Sequence, residues 1–205
     1  PRIGKRKGRI DLTMAYEQLN AENPLKDMNE WYLQPILENK QSLFRAFSDA
    51  YYWIHNPHEE IKTRNLGYYH ELQTDLANYF KSQVIDYLSS SAADIKSVLL
   101  PYIKNADLHD FVIKLSQDYH GLTNCIVELI ILSRVFTVPI YVYNENYKII
   151  MAFDSEKGII YNHNVDTKPF LLPSKIKLSD VVNLRFHYLS KNANPDKIDV
   201  IYPKE

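Results

Sequence analysis

Ser42 stands at the start of a stretch whose apolar residues recur at helical spacing. Residues 41–50 read Gln-Ser-Leu-Phe-Arg-Ala-Phe-Ser-Asp-Ala, and the apolar pattern of Leu43, Phe44 and Phe47 continues to Tyr51. The first turn of a helix has unpaired backbone N–H groups and the positive end of the helix dipole, which stabilise a developing negative charge. Ser42 is therefore a candidate nucleophile, and its alternative role is that of a helix N-cap.

His187 is a candidate general base near the end of a β-rich run, residues 183–188. Its alternative role is that of a structural histidine at a strand end. The other six histidines lack metal-ligand spacing, and the single cysteine, Cys125, excludes an intramolecular disulfide and a cysteine-based zinc site. The sequence indicates no cofactor and no metal.

The composition bounds the class of protein. The chain has 205 residues, of which 45% are hydrophobic, and this predicts one globular domain with a sizeable core. A net charge of -1 argues against a nucleic-acid binder that acts through its overall charge. No apolar run reaches the roughly 18 residues of a membrane span, so no membrane partner is expected.

The first ten residues, Pro-Arg-Ile-Gly-Lys-Arg-Lys-Gly-Arg-Ile, are basic and contain no apolar signal-peptide core. We predict a disordered tail here, with RNA contact or nuclear localisation as the alternative. The expected localisation is cytoplasmic, with the nucleus as the alternative.

Helical patterns dominate the first two thirds of the chain. They predict helices within residues 11–22, 28–36, 42–53, 56–72, 76–88, 94–104 and 108–117, and a further helix that ends near residue 136. Strand patterns follow at residues 138–143, 148–153, 158–161, 176–178 and 183–188, and a short apolar piece lies at 198–202. Helices first and strands second predict an α+β (mixed α/β) fold with a small central β-sheet flanked by helices.

Three separated pieces of the chain resemble the ovarian-tumour (OTU) family of cysteine deubiquitinases, in the family's order. Residues 39–46, Asn-Lys-Gln-Ser-Leu-Phe-Arg-Ala, are similar to the second half of the family's Asp-Gly-x-Cys-Leu-Phe-Arg-Ala. Residues 128–143 resemble its Glu-Leu helix running into a Pro-Ile strand, and residues 186–188, Phe-His-Tyr, resemble the strand that ends in His-Tyr. The similarity is strongest to the branch in which serine replaces the catalytic cysteine.

The resemblance implies a papain-type fold and divides the chain into three parts. These are a basic, partly flexible N-terminal segment (1–24), an OTU-like domain (25–190) and a C-terminal tail (191–205). It also implies the roles of the site residues, with ubiquitin or polyubiquitin as the partner. By this resemblance Ser42 is the nucleophile, His187 is the general base and Asn39 orients the histidine. Backbone N–H groups of Lys40 and Gln41 form the oxyanion hole. The substrate is contacted by Thr123, Asn124 and Cys125.

Two departures from the family pattern predict weak or absent peptidase activity. A helix N-terminus and a charged histidine can ionise a cysteine thiol but not a serine hydroxyl, so Ser42 depends on a well-oriented base. Asn39 stands in the slot of the family's Asp, so His187 loses a charged partner that would stabilise its protonated form, and Leu189, where the family often has Asp or Asn, cannot orient it. The sequence leaves open a non-catalytic scaffold that binds ubiquitin, another protein or RNA, and it leaves open that serine stands here in place of a native cysteine.

Overall fold

A six-stranded mixed β-sheet lies at the centre of the computed structural model, which describes residues 31–36, 41–55, 66–90, 93–103, 108–117, 125–188, 195 and 197–203. Its strands are β1 (Trp31–Pro35), β2 (Ile140–Tyr143), β3 (Ile149–Asp154), β4 (Gly158–Asn162), β5 (Val182–His187) and β6 (Lys197–Pro203). They follow the order β1-β6-β5-β2-β3-β4. Strands β2 and β5 are parallel, and the other neighbouring pairs are antiparallel.

Five α-helices lie within the described residues: α1 (Ser42–His55), α2 (Leu66–Ser90), α3 (Ala93–Ile103), α4 (Leu108–Ser116) and α5 (Ile126–Phe136). Helices and sheet together confirm the predicted α+β class. Helix α1 packs against β5, β6 and α2, and α5 packs against α2, β3 and β4.

Helix α1 is anchored by the apolar residues that predicted it. Leu43, Phe44 and Phe47 are 3% exposed or less and belong to the main hydrophobic core. The backbone N–H of Arg45 donates to the Gln41 carbonyl at 2.9 Å, so Gln41 caps the helix and Ser42 is its first residue. Burial of this stripe fixes where the N-terminus of α1 lies relative to β5 and β6.

The two faces of the sheet carry different side chains because successive residues of a strand point to opposite faces. Val142, Leu184 and Phe186 belong to the main core, which also contains the buried side chains of the helices. Tyr141, Tyr143 and Ile201 belong to a second cluster, which the partly buried side chains of Phe170, Leu172, Ile176 and Leu178 cover. The alternation therefore places Arg185, His187 and Asp199 on the second face.

Four predicted elements differ from the structure. Residues 31–35 form strand β1 and not part of a helix; aromatic residues favour a strand, and pairing with β6 satisfies the backbone. Residues 176–178 form no strand, since a 3-10 turn, Leu178–Asp180, leads directly into β5. The helices predicted as 56–72 and 76–88 overlap a single helix, α2, from residue 66 onwards.

Residues 197–203, which the sequence analysis placed in a C-terminal tail, form strand β6 between β1 and β5. Its centre is fully apolar on one face, where Ile198 and Val200 enter the main core. The basic residues 1–10 and the helix predicted for 11–22 lie outside the described residues.

The C-terminus of α5 offers a test of backbone strain. Thr137 is exposed and adopts the left-handed conformation, with φ 51° and ψ 46°, which is costly for a β-branched residue. Thr137→Gly is expected to raise the free energy of unfolding by about 1 kcal/mol, because glycine has no Cβ to strain. Urea unfolding measures the change, and Thr137→Ala, which keeps a Cβ, is the control. Equal stability of the two variants would contradict the assignment of strain.

Candidate functional site

His187 is the last residue of β5, and a buried carboxylate lies against its ring. The Nε2 atom of His187 is 2.7 Å from Oδ2 of Asp199, within hydrogen-bond distance. The Asp199 side chain is 1% exposed and that of His187 is 21% exposed. The histidine is therefore held from the protein interior and reaches solvent on its outer side.

The register of the sheet explains this pairing. In the antiparallel ladder of β5 and β6, Asp199 lies opposite Arg185, and His187 lies opposite Lys197. His187 and Asp199 are thus diagonal neighbours on one face, close enough for long polar side chains to meet. Because the two strands are joined by backbone hydrogen bonds, the positions of His187 and Asp199 relative to each other are well defined.

The buried carboxylate of Asp199 depends on His187. Its other oxygen, Oδ1, has no hydrogen-bond donor among the described residues, and the Nζ atom of Lys197 lies 3.8 Å away. Burying a carboxylate without partners is costly, so the short contact with the imidazole is the main polar compensation that this group receives.

A second carboxylate approaches the other ring nitrogen of His187. Glu145, in the turn between β2 and β3, has its Oε1 atom 3.3 Å from Nδ1, and its side chain is 57% exposed. Within the described part of the chain, the polar contacts of His187 are those with Asp199 and Glu145. One ring therefore lies between one buried and one exposed carboxylate.

Ser42 lies at the N-terminus of α1, half-buried, on a helix that packs against the strands carrying His187 and Asp199. The residue before it, Gln41, donates from its side-chain Nε2 to Oδ1 of Asn78 at 2.9 Å, which ties the helix start to α2. Ser42 is not among the polar contacts of His187. The structure thus brings His187 together with Asp199, a residue that the sequence analysis did not single out.

Cys125 is buried, and the residues predicted beside it, Thr123 and Asn124, lie outside the described ranges, as do Asn39, Lys40 and Leu189. Cys125 precedes α5 with φ 62°, a left-handed conformation that favours glycine. Burial, with a smaller contribution from Glu128, raises the pKa of the Cys125 thiol well above its usual value, which disfavours the reactive thiolate form.

Buried polar contacts fix β2 against β5 next to His187. The Tyr143 hydroxyl donates to Oδ1 of Asn183 at 3.0 Å, and Nδ2 of Asn183 donates to the Leu178 carbonyl at 2.9 Å. Burial raises the pKa of Tyr143 well above its usual value, so its hydroxyl keeps its proton and remains a donor.

Other kinds of site receive less support from the described residues. No group of three or more His, Cys, Asp or Glu residues within them has the arrangement of a metal site. No helix in these ranges is long and apolar enough to cross a membrane. A pocket of about 300 Å³ lies on the helical side, lined mainly by aromatic rings such as Tyr51, Tyr79 and Phe136, and it does not include His187.

Comparison with known proteins gives one relationship in sequence. The chain matches no protein-family profile. It is 41% identical over 206 residues to a protein of Acanthamoeba polyphaga mimivirus described as "Uncharacterized protein R327". The match covers all of this chain but only 13% of the viral protein, so the chain spans a small part of its relative's length. That description names no activity, substrate or partner.

Proposed function

We propose that this chain is an OTU-like domain of the ubiquitin isopeptidase class, with Ser42 in the nucleophile slot and weak or absent activity. The observation that carries the proposal is the contact of 2.7 Å between His187 and the buried Asp199. A histidine oriented by an acid is one half of a hydrolytic triad. The other half, Ser42 beside His187, is part of the proposal: helix α1, which begins at Ser42, packs against β5 and β6 from the main core, whereas His187 and Asp199 lie on the second face of the sheet.

In the proposed reaction, the Ser42 hydroxyl attacks the carbonyl carbon of the isopeptide bond. His187 takes the hydroxyl proton and passes it to the leaving lysine amine, and Asp199 holds the imidazole in place through Nε2. Backbone N–H groups at the start of α1 stabilise the oxyanion. Water then cleaves the ester on Ser42 and releases the carboxyl end of ubiquitin.

Ser42→Cys is expected to raise the rate of ubiquitin-chain cleavage, because a thiol can be ionised by the helix N-terminus and a hydroxyl cannot. Cleavage of a panel of di-ubiquitin linkages by both forms measures the change. Ser42→Ala is the control, and it should be inactive and as stable as the unaltered chain. Brisk cleavage by the unaltered chain, lost in Ser42→Ala, would make Ser42 an efficient nucleophile and contradict the prediction.

A non-catalytic scaffold that binds ubiquitin is the second candidate, and the exposed carboxylate of Glu145 favours it. With Asp199 at one ring nitrogen and Glu145 at the other, His187 has no nitrogen directed at a nucleophile in this arrangement. Binding and bond cleavage use different contacts, so ubiquitin can be held without being cut. NMR titration with mono-ubiquitin distinguishes the cases: shifts near Ser42 and His187 without cleavage by Ser42→Cys support the scaffold.

A further inference from the structure

The turn between β2 and β3 is built to hold a fixed shape. Oδ1 of Asn144 accepts hydrogen bonds from the backbone N–H groups of Asn146 and Lys148, both at 3.0 Å. The backbone N–H of Asn144 donates to the Lys148 carbonyl at 2.9 Å, which closes the turn. Glu145 therefore extends from an ordered backbone, although its side chain is largely exposed.

Arg185 fastens this turn to the strand that carries His187. Its guanidinium lies 4.5 Å from the centre of the Tyr147 ring, and Nη1 donates to the Tyr147 hydroxyl at 2.9 Å. Nη2 also reaches the backbone carbonyl of Glu145 at 3.5 Å. Arg185 precedes His187 by two residues on the same face of β5, so the contact keeps the backbone of Glu145 close to the part of β5 that carries His187.

The chemistry of the imidazole ring determines what two carboxylates do to it. A neutral imidazole has one N–H donor and one acceptor nitrogen, whereas the charged ring has two donors. Carboxylates only accept, so a nitrogen lone pair facing Glu145 is repelled and an N–H facing it is attracted. The contact of Nδ1 with Glu145, added to that of Nε2 with Asp199, favours the ring with protons on both nitrogens.

We propose that Glu145 is a positioning residue that holds a proton on Nδ1 of His187 and so withholds this nitrogen from service as a base. The inference rests on the proposed function for its catalytic meaning, and on the geometry alone for the state of the ring. Because Glu145 is exposed, a bound substrate can displace its side chain and free Nδ1, while the buried Asp199 stays in contact with Nε2. In this proposal, substrate binding moves Glu145 away and thereby allows Nδ1 of His187 to accept a proton.

Several charged or polar groups surround the His187 ring. Lys197 and Asp199 on β6, Arg185 on β5, and Glu145 and Tyr147 in the turn face or adjoin it. A test must therefore substitute Glu145 alone and measure the protonation of each His187 ring nitrogen separately.

The test is nitrogen NMR of the histidine rings at neutral pH, with the His187 signals assigned from the spectrum of His187→Gln. At one and the same pH, the Nδ1 nitrogen of His187 should carry less proton in Glu145→Gln than in the unaltered chain, while the Nε2 signal stays unchanged. Glu156→Gln is the matched control, since Glu156 is an exposed glutamate in the turn between β3 and β4 and makes no described side-chain contact with His187. An unprotonated Nδ1 in the unaltered chain, or equal spectra for Glu145→Gln and Glu156→Gln, would overturn the inference.

Activity is measured in parallel on chains that also carry Ser42→Cys. If Glu145 withholds the base, adding Glu145→Gln should increase cleavage of ubiquitin chains several-fold, whereas adding Glu156→Gln should leave the rate unchanged. Unchanged activity in an active Ser42→Cys chain would overturn the catalytic part of the inference. A Ser42→Cys chain that fails to cleave in any form would instead count against the proposed function, and the NMR result would still decide the state of the ring.

Discussion

Asp199→Ala, introduced into a chain that also carries Ser42→Cys, is expected to lower ubiquitin-chain cleavage by on the order of 1,000-fold. Asp199 holds Nε2 of His187 at 2.7 Å from a buried position on β6. Without this acceptor, His187 loses both the group that fixes its orientation and the charge that stabilises its protonated form. The measurement is the rate of di-ubiquitin cleavage under conditions where Ser42→Cys alone is active.

Asp199→Asn is the matched variant, because it keeps one acceptor oxygen, removes the charge and replaces the other oxygen by an amide NH2. It should retain more activity than Asp199→Ala, and both variants should keep the circular-dichroism spectrum of the folded chain. If Asp199→Ala cleaves within a few-fold of the parent, Asp199 is not the orienter.

The acid that orients His187 illustrates what can and cannot be predicted from the sequence. The resemblance assigns the orienting role to Asn39, which fills the position of the family's Asp upstream of the nucleophile, and Leu189 cannot take that role. The structure brings Asp199 to His187 across the β5–β6 ladder, twelve residues further along the chain. The available signal was an acid inside the apolar run Ile-Asp-Val-Ile of residues 198–201, because a charge on a buried strand requires a partner.

The elements that carry strong local patterns were predicted well. Residues 42–53 and 128–136 have continuous apolar faces, and the structure contains α1 and α5 there. The hairpin of β3 and β4 follows from β-rich runs separated by a short polar turn with Gly158 at its end. Strand β1 was not predicted because it pairs with β6, far along the chain, and the apolar piece at 198–202 does not by itself show that it joins β1 to β5.

The distance between Ser42 and His187 could not be predicted for a similar reason. A sequence motif specifies that a serine begins a helix and that a histidine ends a strand. It does not specify how the helix is rotated against the sheet, since that depends on how side chains such as Phe44, Phe47 and Phe186 pack in the shared core.

Phe47→Ala is expected to lower the free energy of unfolding by about 3–5 kcal/mol. The Phe47 ring is fully buried and packs edge-on against Phe80 at 5.0 Å between ring centres. It also contacts Tyr51 at 5.6 Å and Phe136 at 5.8 Å, so it joins α1 to both α2 and α5. Loss of this ring removes buried apolar area and leaves a cavity where three helices meet, and such a loss is a large fraction of the stability of a typical domain.

Tyr79→Ala is the matched control for this prediction. Tyr79 belongs to the same aromatic cluster, with its ring 5.4 Å from Phe80 and 6.3 Å from Phe136, but it is 51% exposed. Because half of its surface already contacts water, its removal is expected to cost about 1 kcal/mol or less. Urea unfolding of both variants, with amide hydrogen exchange along α1, measures the difference. A loss for Phe47→Ala no larger than that for Tyr79→Ala would show that α1, and with it Ser42, is not anchored through this cluster.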